Sequence, residues 1–194
     1  MNYHHLPWRR VLEIEKIITH EGYCHNFDHD IALLKLKEKV DLSKYTPACL
    51  APNDEDYTGK EASVYGWGRI GYNPTGDCVK PAHPNSEILK ETTQTILSNE
   101  DCGQRSGFVP CCKEDGKLDS CETSMGLVKD NKLCGYNTTG TDACQGDSGG
   151  PFTVEEDEKH TLVGVVSYGA GCGEVSICTF ILCCKFGFSY TRTR

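Results

Sequence analysis

Thirteen cysteines in 194 residues constrain this chain more than any other feature. Such a density is rare where thiols are kept reduced and common where disulfides form. A disulfide-braced fold in an oxidising compartment is therefore expected, which puts the protein outside the cell. Thirteen is odd, so at least one thiol lacks a partner within the chain. Residues 1–10 (MNYHHLPWRR) show none of the basic, apolar and small-residue order of an export signal. The cysteines and the N-terminus disagree. The simplest resolution is a natural start upstream of Met1.

Charge narrows the partners. Twenty basic against 28 acidic side chains leave a net charge of −8, which argues against nucleic acid and anionic membrane surfaces. The most apolar run, residues 175–184 (VSICTFILCC), falls far short of the roughly 18–20 residues that span a bilayer. It reads as a strand rather than an anchor, so no membrane partner is expected. Helical periodicity is scarce, whereas short β-like runs recur at residues 11–18, 31–36, 61–67, 88–97 and 161–167. Turn-rich stretches at 51–56 and 71–77 separate them, and Gly66-Trp67-Gly68 reads as a turn with a bulky anchor. The pattern predicts an all-β barrel or sandwich. The acidic cluster at residues 155–158 reads as a solvated hairpin tip.

One motif carries chemistry. In Gly146-Asp147-Ser148-Gly149-Gly150-Pro151 a serine stands between an aspartate and two glycines. The glycine before Asp147 lets the backbone turn until successive N–H groups face one space, where they stabilise a developing oxyanion. The glycines after the serine leave room for a substrate backbone. Gly-Asp-Ser alone would suit an ordinary turn. The full hexapeptide, with Cys144 before it and Ser167-Tyr168-Gly169 after it, points to nucleophilic catalysis.

With these residues the chain resembles the trypsin/chymotrypsin serine endopeptidases from about Arg10 to Glu174. Asp30-Ile31-Ala32-Leu33-Leu34 resembles the segment bearing the triad aspartate, and Pro47-Ala48-Cys49-Leu50 the approach to the interdomain linker. Gly66-Trp67-Gly68 resembles the first strand of the second barrel, and Asp142-Ala143-Cys144-Gln145 is specifically trypsin-like. The resemblance implies two antiparallel β-barrels, the first incomplete, and an aberrant C-terminus. Its segments are a first-barrel remnant at 1–48, a linker at 49–60, a second barrel at 61–174 with a cysteine-rich insertion near 103–133, and an atypical tail at 175–194.

The implied roles are specific. Ser148 is the nucleophile, and the N–H groups of Gly146 and Ser148 form the oxyanion hole. Asp30 orients the general base. Asp142 lies at the base of a pocket selecting Arg or Lys through a charge-assisted pair. Ser167, Tyr168 and Gly169 bind the substrate backbone, with Tyr168 where tryptophan is commoner. Asp147 resembles the aspartate that receives the amino terminus released on activation. No cofactor and no metal are implied. Protein or peptide substrates with Arg or Lys, and protease inhibitors, are the implied partners.

The general base is missing from this arrangement. The family order is His, Asp, Ser, with the histidine some forty residues before the aspartate in an Ala-Ala-His-Cys segment. Asp30 is only the thirtieth residue, and none of the seven histidines sits in such a segment. His29 adjoins Asp30, but neighbours on an extended strand point to opposite faces, so it is expected to face away. His4 and His5 read as surface-loop residues. The expectation is an N-terminally incomplete, inactive chain; the rival expectation is a non-catalytic homologue that binds a partner.

The resemblance also implies disulfides Cys102–Cys134 and Cys144–Cys172. A further family bridge falls on Ala62 and Val154, so both of its halves are absent. Between Cys102 and Cys134 lie 31 residues, more than double the family's usual spacing. Cys111, Cys112 and Cys121 within them read as an internally bridged insertion rather than a zinc site, since no histidine falls between His83 and His160. Cys49 resembles the cysteine that tethers an upstream chain. Asn137-Thr138-Thr139 is a glycosylation sequon.

Overall fold

Polar and apolar residues alternate from Glu61 to Val64, and this is where the sheet can be traced most directly. In a computed structural model of the chain, the described residues are 10–23, 29–53, 55–70, 84–105, 109–112, 118–121, 131–169, 172 and 178–182. They fall into two compact units, Met1–Pro47 and Ala48–Arg194. The turn expected at 71–77, the loop reading of His4 and His5, and the cysteine side chains of the insertion lie outside the described residues.

The first unit is an antiparallel ribbon of β1 (Ile14–Thr19) and β2 (Ala32–Leu36), with Ile17 opposite Leu34 and a bulge between Ile14 and Lys16. Strand-forming β-branched residues account for β1. Two strands cannot cover their own side chains. Ile14, Ile17, Leu33 and Leu34 are all exposed. Ion pairs Lys35–Glu15 and Lys37–Glu13 run along the ribbon, and Arg10 faces Glu38.

The second unit is built on strands β3 (Cys49–Leu50), β4 (Glu61–Gly66) and β5 (Lys90–Leu97), the short helix α1 (Asn99–Arg105), and strands β6 (Val109–Cys112) to β11. The later strands are β7 (Leu118–Cys121), β8 (Lys132–Tyr136), β9 (Pro151–Glu156), β10 (Lys159–Gly169) and β11 (Cys178–Leu182). Six of them pair in the order β11-β8-β5-β4-β9-β10, and β10 pairs with β11 to close the ring. β3 adds to β10 by a two-residue parallel pairing. β10 has 11 residues, and register shifts at Leu162/Gly164 and Val166/Tyr168 let it turn between its neighbours. β6 and β7 form a hairpin inside the insertion.

The run at 175–184 thus contributes β11 to the ring, between β8 and β10. Its Thr-Phe-Ile-Leu segment has the strand-forming residues that this place requires. The acidic cluster is a hairpin tip: Glu156 pairs with Lys159, and Asp157 and Glu158 take φ values of 50° and 60°. Two successive positive values match the right-handed twist of the flanking strands.

The core follows the inward positions. On β5 burial rises at alternate residues Thr92, Gln94 and Ile96. Phe152 and Val163 are fully buried, and Ile96 is 1% exposed. Ala62 and Val154 are buried in the same cluster, so apolar contact stands where the family's further bridge would lie. A second cluster holds the Cys102–Cys134 disulfide against Leu97 and Tyr136. Helix α1 begins at a cap: Asp101 N–H donates to Ser98 Oγ, and Ser98 Oγ–H donates to the Asp101 carboxylate. Tyr57 packs in the core, and burial with the Glu55 carboxylate beside its hydroxyl pushes its phenol up to about 12.

Candidate active site

The segment from Asp142 to Pro151 links β8 to β9 and folds back on itself. Asp147 N–H donates to the Cys144 carbonyl, and Gly150 N–H to the Asp147 carbonyl, at 2.9 and 2.8 Å. These consecutive turns need left-handed residues, and glycines stand there: Gly146 at φ 102° and Gly149 at φ 81°. Gly149 N–H donates to the Val166 carbonyl, and Val166 N–H to the Gly150 carbonyl, each at 2.9 Å. The loop is thereby fastened to β10.

Asp147 is turned inward. Its carboxylate accepts Gly68 N–H at 2.7 Å and Cys144 N–H at 2.9 Å. A Cβ at Gly66 would stand 1.9 Å from the Asp147 carboxylate, and one at Gly68 2.4 Å. Only glycines allow that approach. Trp67 between them is 52% exposed, so it is not the anchor expected from sequence. The flanking backbone serves the carboxylate, and the indole is left facing outward.

Ser148 is exposed at the outer side of this loop. Among the described residues, the N–H groups of Asp147, Gly149 and Gly150 are all hydrogen-bonded, whereas those of Gly146 and Ser148 make no hydrogen bond. Two unengaged N–H donors beside an exposed hydroxyl suit the stabilisation of a negative oxygen. On β10, Ser167 is buried, while Tyr168 and Gly169 are half-buried. Lys132 on β8, 5% exposed, places its ammonium 3.2 Å from the Tyr168 hydroxyl and 4.5 Å from its ring centroid. Nothing in the periodicity of β8 announces that contact.

Asp142 is half-buried, and its Oδ1 accepts Ala143 N–H at 2.8 Å and Gln94 Nε2–H at 2.6 Å. The loop before it is stitched to β5 at consecutive residues. Thr92 bonds Thr141 through their hydroxyls at 2.6 Å, and Asn137 donates its side-chain amide to the Thr93 carbonyl. Asp142 and Asp147 both line a cavity of about 340 Å³, together with Val64, Gly66, Gly68 and Cys172. The Cys144–Cys172 disulfide, with its Cα atoms 5.3 Å apart, braces one wall.

Asp30 belongs to the first unit and is half-buried just before β2. The strand argument for His29 does not hold there, because His29 lies in a turn at φ 51°. Its ring stacks on His20, with centroids 4.4 Å apart and planes 4° from parallel. Cys49 on β3 is exposed and not in a disulfide. Among the described residues, no three His, Cys, Asp or Glu side chains converge as a metal site requires.

The family model described as Trypsin matches residues 3–183. The chain belongs to the trypsin family. It is 31% identical over 175 residues to serine proteinase stubble of Drosophila melanogaster, covering 87% of this chain and 19% of that protein. It is 33% identical over 165 residues to transmembrane protease serine 5 of Homo sapiens, covering 83% and 31%. With tryptase of Mus musculus the identity is 34% over 169 residues, covering 84% and 55%. This trypsin-family chain therefore spans between about a fifth and about half of these relatives' lengths. Its match runs into β11, beyond the Glu174 limit of the motifs read from sequence.

Proposed function

We propose that this chain carries the nucleophile, oxyanion-hole and specificity residues of a serine endopeptidase that cleaves after Arg or Lys. The observation that carries the reading is the loop around Ser148, where, among the described residues, the Gly146 and Ser148 N–H groups are unengaged while those of Asp147, Gly149 and Gly150 are hydrogen-bonded. In the proposed reaction Ser148 Oγ gives its proton to an imidazole base and forms an ester with the scissile carbonyl carbon. The imidazolium then protonates the leaving amine as the C–N bond breaks, and water hydrolyses the ester. The two N–H groups hold the oxyanion of each tetrahedral intermediate. Asp142 pairs with the Arg or Lys side chain, Ser167 to Gly169 align the substrate backbone, and Asp30 orients the base.

None of the seven histidines occupies the family's position for that base. The proposal is that these 194 residues by themselves bind cations at Asp142 without turning over substrate. A binding role, for a substrate-like partner or a protease inhibitor, is the second reading. The two disulfides support an extracellular setting, and exposed Cys49 supports a tether to another chain.

Titrating the chain with benzamidine, a small arylamidinium, tests the specificity assignment. Saturable binding that weakens at least tenfold in Asp142→Asn is expected. Undiminished binding in that variant overturns the Asp142 assignment. A serine-directed phosphonate is expected to leave Ser148 unlabelled in the 194-residue chain, and rapid labelling would refute its inactivity.

A further inference from the structure

A buried glutamine in the barrel interior has no packing rationale. Gln94 stands opposite Ala62 on β4, faces inward with Thr92 and Ile96, and is 1% exposed. An amide in such a place is costly unless its polar atoms are hydrogen-bonded. Its Oε1 makes no hydrogen bond among the described residues. Leucine or methionine would fill this volume without that cost. What the glutamine adds is one donated bond, from Nε2 to Asp142 Oδ1 at 2.6 Å.

The bond is well placed to act. A hydrogen bond from a buried amide to a carboxylate is among the strong ones. Both Gln94 Nε2 and Ala143 N–H reach the same oxygen, Oδ1, and so set the rotation of the carboxylate. β5 fixes the donor's place, because the two strand residues before Gln94 also grip the loop. Thr93 receives Asn137, and Thr92 meets Thr141.

We propose that Gln94 is a positioning residue for Asp142, fixing its carboxylate for recognition of a guanidinium or ammonium group. This inference rests on the reading of Asp142 as the floor of the specificity pocket. Gln94 touches no substrate and acts through Asp142 alone.

The test uses the full chain, with benzamidine as the cationic probe and benzyl alcohol as a neutral one of similar shape. Gln94→Met keeps the volume and removes the donor. Benzamidine is expected to bind about tenfold more weakly, with benzyl alcohol unchanged. Equal losses for both probes, or no loss for either, overturn the proposal, since a merely structural role does not distinguish charge. If the wild-type chain binds no benzamidine, the pocket assignment has failed instead. Wild-type NMR then decides the role of Gln94 separately, and it also serves if the variant does not fold. The Gln94 side-chain amide signal is expected downfield and returned to the ordinary range by Asp142→Asn. An unshifted signal overturns the bond itself.

Discussion

The ribbon of the first unit and the ring of the second are both antiparallel β-structure, yet they bury very different things. In the ribbon, every residue of β1 and all but the last of β2 are exposed, and its cross-strand contacts include ion pairs in water. Such pairs contribute about 0–1 kcal/mol each. In the ring, Phe152 and Val163 are fully buried, and the disulfides Cys102–Cys134 and Cys144–Cys172 cross-link the unit. Strand propensity is similar in both. Closure makes the difference, because a ring of six strands has an inside and a ribbon of two does not.

The contrast can be broken at its strongest point first. Phe152→Ala is expected to cost about 3–5 kcal/mol in urea unfolding of the second unit, while amide exchange in β1 and β2 stays unchanged. Next, the Cys144→Ala/Cys172→Ala pair should cost about 2–4 kcal/mol and loosen the loop around Ser148, read as faster exchange of the Gly149 amide. A pH test follows. The Tyr57 phenol is pushed up to about 12 by burial and Glu55, so the folded state holds its proton more tightly than the unfolded chain does. The Tyr57 contribution to stability of the ring is therefore fully present below about pH 10 and is expected to be lost as pH rises from there towards 12. Tyr57→Phe should flatten the fall. The smallest effect belongs to the ribbon: Lys35→Ala should change stability by less than about 1 kcal/mol, and a larger loss would show that the ribbon is held by more than surface charge.

Where strand-forming residues were bounded by turn signals, the strands could be read from sequence. Residues 61–67 and 88–97 became β4 and β5 within two residues at either end. Others were hidden for identifiable reasons. β8 is interrupted by Gly135, and β9 begins at Pro151, where the residues read as motif rather than strand. Helix α1 is too short for a periodic signal, although Ser98 and Asp101 three residues later are a cap in plain view. The loop around Ser148 was legible because its glycines are required locally. Gln94 was not, since its contact with Asp142 joins residues 48 apart and depends on how β5 meets the loop. Trp67 misled for a related reason: its large side chain drew attention, while its flanking glycines carried the contact with Asp147.

Ring closure also has a consequence in time. β11 is the last of the six strands to leave a ribosome, and among the described residues it joins β8 to β10. Until residues 178–182 emerge, β8 and β10 each present a row of unpaired backbone groups, and edges of that kind recruit other strands. The ring must therefore be completed after the loop carrying Ser148 has been synthesised. Substitutions in residues 178–182 therefore bear on how long those two edges stay open, and not only on the finished ring.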